Sequence, residues 1–223
     1  MVRPVLLSWI LLGCAAAQKP VRFPTQDGGL IAADLYGKGA RGVVLAHGGQ
    51  FNKESWKPQA QVLEAAGFRV LAIDFRGYGA SRGPGQSDPL SAPLSLDVLA
   101  AVRYLHKAGA KRVAVVGASM GGWAAADAVV QARKGEIDRL IELGAGAGNL
   151  PPEKIAVRKL WMVAVDDRNE DGPRLPGIQR EFEKMPEPKQ LILLDGSAHA
   201  QFLFQSDQGA RVMHEILRFL AAR

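Results

Sequence analysis

The sequence predicts an α/β domain, a mostly parallel sheet covered by helices on both faces. Three observations support this. Short apolar runs alternate with longer amphipathic ones from about residue 21 to the C-terminus. The first two runs, residues 21–25 and 30–36, are joined by Gln26-Asp27-Gly28-Gly29, a hairpin turn, whereas most later ones are separated by helix-length stretches, as parallel neighbours require. The 223 residues are 48% hydrophobic, enough for one sizeable core, and contain no internal repeat and no second domain.

Each element has its own reason. Residues 43–46, Val-Val-Leu-Ala, form a buried strand followed by a glycine-bearing loop and a helix over about 55–66. Residues 69–73 make the next strand, which runs into Asp74-Phe75-Arg76-Gly77-Tyr78-Gly79. A loop rich in Gly, Ser and Pro, residues 80–93, precedes a helix reaching His106. Strand 112–116 passes through Gly117 into a helix over about 120–133. Strand 137–143, an irregular stretch 144–158, strand 160–165, a helix near 175–184 and strand 190–194 follow. A closing helix spans about 208–222, with Val212, Ile216 and Leu220 on one face.

Residues 1–17 differ in kind. Arg3 is the only charge before Lys19, and an apolar run from Val5 to Leu12 leads into Ala15-Ala16-Ala17, the pattern of an export signal. It is too short to span a bilayer comfortably. Leu11-Leu12-Gly13-Cys14 resembles a bacterial lipobox, so a lipid tether on Cys14 and cleavage after Ala17 are both open. Either route makes the protein periplasmic, lipid-anchored or extracellular in a bacterium. Cys14 is the only cysteine, which excludes an internal disulfide and a thiolate metal site. The net charge of +6 comes without any run of four Lys or Arg, a diffuse basic surface rather than a nucleic-acid footprint. A Rossmann glycine fingerprint and an HExxH pair are both missing, so no cofactor and no metal is expected.

Gly117-Ala118-Ser119-Met120-Gly121 matches Gly-x-Ser-x-Gly, and so does Gly79-Ala80-Ser81-Arg82-Gly83. Context separates them. Ser119 follows a strand and opens an alanine-rich helix, the strand-to-helix turn that projects a nucleophilic hydroxyl above a sheet. Ser81 sits in a loop ahead of Pro84 and Gly85. A helix N-cap is the plain structural alternative for Ser119. A serine hydroxyl needs a base and an orienting carboxylate. Among four histidines, His106 and His214 fall within helices and His47 heads the loop after strand 43–46. His199 follows strand 190–194 at the sheet edge where open α/β sheets place their sites. The acid should follow strand 160–165, which ends in Asp166-Asp167, with Asp171 further off. Met120 N–H and Gly49 N–H, or Gln50 N–H in its place, are the expected oxyanion donors.

His47-Gly48-Gly49, Asp74-x-Arg76-Gly77-x-Gly79-x-Ser81, Gly117-x-Ser119-x-Gly121, the Asp pair and His199 together resemble the α/β-hydrolase superfamily in order and spacing. The resemblance covers residue 21 to the C-terminus, and is nearest the compact serine-aminopeptidase-like and dienelactone-hydrolase-like members. It implies an eight-stranded sheet with Ser119, Asp166 or Asp167, and His199 as the triad, and Asp74 and Arg76 as parts of a structural turn. The resemblance also implies a small residue three positions before the acid; Ala164 fits that place and favours Asp167, which leaves Asp166 to bond amides near Arg168 and Asn169. Residues 144–158 are too few for the helical cap that many members carry, so an open site walled by 80–93 and 144–158 is expected. The expected activity is hydrolysis of small-molecule esters, thioesters or lactones. A peptidase using the same residues and a catalytically silent binding protein are the alternatives.

Overall fold

The computed structural model describes residues 18–89 and 91–222. The predicted export signal, with Cys14, lies outside them. No helix among the described residues is long and apolar enough to cross a membrane.

In chain order the elements are β1 (Lys19–Pro24), β2 (Leu30–Tyr36), β3 (Arg41–Ala46), α1 (Lys57–Ala65), β4 (Arg69–Ile73), α2 (Leu94–Lys107), β5 (Arg112–Ala118), α3 (Met120–Gln131), β6 (Arg139–Leu143), β7 (Arg158–Ala164), β8 (Arg168–Asn169), β9 (Gly172–Pro173), α4 (Leu175–Lys184), β10 (Lys189–Leu194) and α5 (Gly209–Ala221). The main sheet has eight strands in the order β1-β2-β4-β3-β5-β6-β7-β10. β1 and β2 are antiparallel, as the hairpin turn predicts, and β2 also meets β4 antiparallel. The other five pairings are parallel.

Side chains alternate across the pleat, and the core divides accordingly. Val44 and Ala46 join Leu71, Val113, Val115 and Val163 under α2, α3 and α4. Val43 and Leu45 join Val70, Val116, Ile141 and Met162 under α1 and α5. The chain winds outward in both directions from β3, so the strand order reverses between β3 and β5. That switch point is where an open α/β sheet forms its crevice, outside the carboxyl ends of the strands. The loop after β3 carries Gly48 and Gly49, and the turn after β5 carries Ser119.

Two departures from the sequence reading bear on the site. The first predicted helix splits into a 3-10 turn, Lys53–Trp56, and α1, because Pro58 suits the start of an α-helix and not its interior. The stretch after β7 is not a plain loop: β8 and β9 pair as a two-residue hairpin that brings the chain from Asp167 into α4. Between β6 and β7 only a 3-10 turn, Pro152–Lys154, interrupts the loop, so no helical cap stands there.

The Asp74–Ser81 motif is a turn held by buried polar bonds. Arg76, fully buried, donates to Asp97 of α2 and to Asp27 of the β1–β2 turn, each at 2.6 Å. Ser81 Oγ donates to the Asp74 carbonyl and accepts from Ala32 N–H, both at 2.8 Å. Its hydroxyl is consumed within the fold.

Candidate active site

β5 ends at Ala118, and the chain reverses into α3 through Ser119, whose φ of +50° and ψ of −115° lie where a residue with a Cβ is strained. Such a conformation persists only if its surroundings impose it. Here glycines on both sides do so: a Cβ on Gly117 would strike the Gly121–Gly122 backbone, and one on Gly121 would strike the carbonyls of Ala46 and His47. The helix therefore starts hard against the sheet. Ser119 makes no side-chain cap bond to α3, which removes the N-cap alternative.

Its hydroxyl meets His199 instead. Nε2 of His199 lies 2.9 Å from Ser119 Oγ, and Nδ1 lies 2.7 Å from Asp167 Oδ2. Asp167 is buried, while about a quarter of the imidazole is exposed. Neutral His199 with the proton on Nδ1 donates to the carboxylate and leaves Nε2 to accept from the serine. The structure thus brings together Ser119, Asp167 and His199. Asp166 and Asp171 stay outside. Asp166 is exposed, and its carboxylate takes none of the amides near Arg168 and Asn169 that sequence reasoning gave it; its own N–H donates to the Gly196 carbonyl instead. The reason is the hairpin, which turns that part of the chain away from residue 166. Asp171 shares its bonds with the Asn169 side chain.

The other histidines are placed elsewhere. His47 is buried, donates from Nδ1 to the Gly48 carbonyl (2.9 Å) and accepts Phe75 N–H on Nε2 (3.2 Å). Burial pushes its pKa down, which favours the neutral ring these bonds need. It braces the loop after β3. His106 lies against the carbonyls of Ala110 and Glu136, and His214 is exposed on α5.

Of the expected oxyanion donors, Met120 directly follows the serine and Gly49 lies in the loop after β3. Met120 is the first residue of α3, so its N–H has no intrahelical partner. Gly48 N–H donates to Gln201 Oε1 at 2.7 Å, while Gly49 is exposed and its carbonyl accepts the Tyr78 hydroxyl at 3.0 Å. Three residues here escaped the sequence reading. Gln201 is buried and also donates to Ser55 Oγ at 2.7 Å, tying the histidine loop to the glycine loop. Tyr78 supports the glycine loop from the side. Arg174 places Nε 3.3 Å from Asp167 Oδ1, and its N–H donates to the Asp167 carbonyl at 2.9 Å. Gln201 and Arg174 belong to no motif and Tyr78 fills a variable position of the Asp74–Ser81 motif, so only the turn and loop geometry reveals them.

Trp123, partly exposed one turn into α3, separates two cavities beside this group. One of about 260 Å³ lies against Met120, Pro93, Ser95 and Asp127; the other, of about 280 Å³, against Gly144, Arg174 and Arg180. Residues 80–93 and 144–158 do supply walls, but the β8–β9 hairpin and α4 supply the second cavity's far side.

A sheet with this order, bearing a serine elbow, a histidine and a buried carboxylate at its switch point, defines the α/β-hydrolase class. A family model described as "Alpha/beta hydrolase family" matches residues 43–163, and the chain belongs to that family. It is 40% identical over 82 residues to bifunctional epoxide hydrolase 2 of Sus scrofa, covering 36% of this chain and 14% of that protein. It is 31% identical over 119 residues to a non-heme haloperoxidase of Rhodococcus erythropolis, covering 53% and 42%. The match spans less than half the length of either relative. Among solved structures, an esterase of Pyrococcus furiosus superposes with a TM-score of 0.76 at 20% identity, over 92% of this chain and 94% of that one. An esterase of Exiguobacterium antarcticum gives 0.74 at 17% identity, over 92% and 100%. These likenesses are of fold.

Behind the elbow, Glu142 of β6 is fully buried, and neither carboxyl oxygen has a hydrogen-bond partner among the described residues. Burial, reinforced by the Asp127 carboxylate, pushes its pKa well above the usual 4.5. The folded protein therefore keeps this proton to higher pH than the unfolded chain does. Stability from that difference is complete below about 4.5 and is lost as pH rises toward the folded-state value. Glu142→Gln, which cannot ionise, should gain on the wild type by up to about 1.4 kcal/mol per pH unit across that window. Urea unfolding of both proteins from pH 5 to pH 8 checks this; a difference that does not change with pH contradicts it.

Proposed function

We propose that this chain is a serine hydrolase cleaving carboxylic esters, thioesters or lactones through an acyl-enzyme. The observation that carries the reading is the continuous Ser119–His199–Asp167 relay, 2.9 and 2.7 Å per step. The relatives' names span epoxide hydrolase, haloperoxidase and esterase, so the family alone selects no reaction. A serine on the elbow supports acyl transfer, because its alkoxide equivalent attacks a carbonyl.

His199 Nε2 takes the Ser119 proton as Oγ attacks, and the imidazolium that forms is stabilised by Asp167. The carbonyl oxygen, becoming an oxyanion, accepts from Gly49 and Met120 N–H; one such donor is worth about 3–4 kcal/mol. His199 returns the proton to the leaving alcohol or thiol as the carbonyl re-forms. Water, deprotonated by the same histidine, then attacks the acyl-serine and releases the acid. Gln201 and His47 hold the donor loop in register with the base. Export is part of the proposal, supported by the sequence of residues 1–17.

Asp167→Asn should remain folded and lose about 10⁴-fold in turnover of p-nitrophenyl esters. Asp166→Asn, at an exposed carboxylate, should change both turnover and melting temperature little. His199→Ala should abolish turnover while His214→Ala does not. An inactive Asp166→Asn beside an active Asp167→Asn would reverse the acid assignment, and cleavage of aminoacyl amides in preference to esters would make the enzyme a peptidase. For export, the mass of the mature N-terminus from the native host should correspond to Gln18 or to lipidated Cys14; an intact Met1 contradicts it.

A further inference from the structure

The cations of this chain are not spread evenly, as their places in the sequence suggest, but gather at one end of the fold. The parallel strands, taken across the sheet as β4, β3, β5, β6, β7 and β10, open on Arg69, Arg41, Arg112, Arg139, Arg158 and Lys189. Register keeps them level: Arg41 is the partner of Arg112 and Arg139 of Arg158, while Arg69 pairs with Gly42, next to Arg41. The segments that feed β5 and β6 add Lys107, Lys111 and Lys134.

Part of this charge is committed and part is not. Asp138 pairs with Arg139 at 2.9 Å, Glu136 takes Arg103 and Arg133 at 3.1 Å each, and the Arg41 guanidinium lies 4.1 Å over the Phe68 ring. Asp138 and Glu136 are thus used up. Lys107, Lys111, Arg112 and Lys134 are exposed and form no ion pair among the described residues.

The opposite end of the sheet, which carries Ser119, has the opposite character. Its loops expose carboxylates at Asp166, Glu170, Asp171, Asp195 and Asp207. The seven residues of β5, Arg112–Ala118, set the two ends about 23 Å apart, more than two Debye lengths at physiological salt. An anionic surface that meets the cations is therefore screened from the acids.

The chain also enters the fold at the cationic end. β1 runs in the same direction as β4, since each is antiparallel to β2, and Lys19 stands level with Leu35 and Leu71. Gln18, just before it, accepts the Tyr36 hydroxyl at 3.2 Å. Residues 1–17, with their apolar run, are attached here, and the four residues from Gln18 back to Cys14 reach at most about 14 Å. Held to a bilayer through that segment, the domain presents its arginine row to the headgroups.

We propose that the amino-terminal edge of the sheet is a docking surface for an anionic lipid bilayer, which holds the domain with Ser119 facing away from the membrane. Lysine and arginine match lipid phosphates in charge, and the guanidinium fork matches them in shape. A substrate that reaches Ser119 then comes from solution rather than from the bilayer. The docking does not depend on the hydrolase reading, and turnover plays no part in its test.

The full chain carrying Cys14→Ser, which removes any lipid at that position, is sedimented with vesicles. Pure phosphatidylcholine measures what the apolar segment contributes, and phosphatidylcholine with about 30% phosphatidylglycerol adds the charge. At about 0.05 M salt the anionic vesicles should bind at least about tenfold more tightly, and at about 0.5 M the two should converge. Lys111→Gln with Arg112→Gln should weaken binding to the anionic vesicles about tenfold. Lys57→Gln with Arg168→Gln, an equal charge loss at the Ser119 end, should weaken it by about twofold at most. All four positions are exposed, so both double variants should keep the wild-type melting temperature. Equal binding to both kinds of vesicle, or an equal loss in both double variants, would overturn the proposal. So would retardation of duplex DNA at physiological salt by a protein with no preference for anionic vesicles, which would make the edge a nucleic-acid surface.

Discussion

The left-handed backbone at Ser119 is the constraint on which the site depends. A residue with a side chain holds φ near +50° only at a cost of order 1–3 kcal/mol, so neighbouring contacts must impose it. Gly117, Gly121 and Gly122 allow β5, α3, the end of β3 and Glu142 to approach without side chains between them. Alanines at 124, 125, 126 and 128 continue the close packing along the helix. The hydroxyl is raised above the sheet because glycines and alanines form the contact between β5, α3 and the end of β3. The same closeness seals Glu142 beneath the helix, where burial holds its carboxyl well above the usual carboxylate range.

The remaining parts are held to this elbow by cross-bonds between loops that are far apart in sequence. Gln201 links the loop after β10 to the one after β3, and His47 links the latter to the end of β4. Asp167 is fixed by the β8–β9 hairpin and by Arg174, which bonds it through the backbone and approaches its free carboxylate oxygen. His199, Asp167 and the glycine loop are thus placed by buried polar contacts, each of which would cost free energy if left unmade. In the proposed mechanism such preorganisation keeps donors aimed at developing charge without reorganisation during reaction.

Much of this was legible in the sequence. β4 and α4 lie where the apolar periodicity puts them, and Ser119 is separated from Ser81 by its strand-to-helix context. In the structure the Ser81 hydroxyl is spent on Asp74 and Ala32. What escaped has a common cause. Gln201, Tyr78 and Arg174 act through single long-range contacts that leave no periodic trace, and the β8–β9 hairpin is too short to show alternation. The local bonds expected of Asp166 failed for the same reason, because an unrecognised turn redirected the chain. Glu142 interrupts an apolar strand, a signal visible in the sequence, though only packing shows that it has no partner.

The central claim is that one hydroxyl, on Ser119, is activated and attacks the substrate. Treatment of the folded enzyme with a fluorophosphonate, followed by proteolysis and mass mapping of the modified peptide, measures it most directly. An activated Ser119 predicts a single stoichiometric adduct on that residue, lost in Ser119→Ala. An adduct on Ser81 or another residue, or a folded enzyme that resists modification, would contradict it.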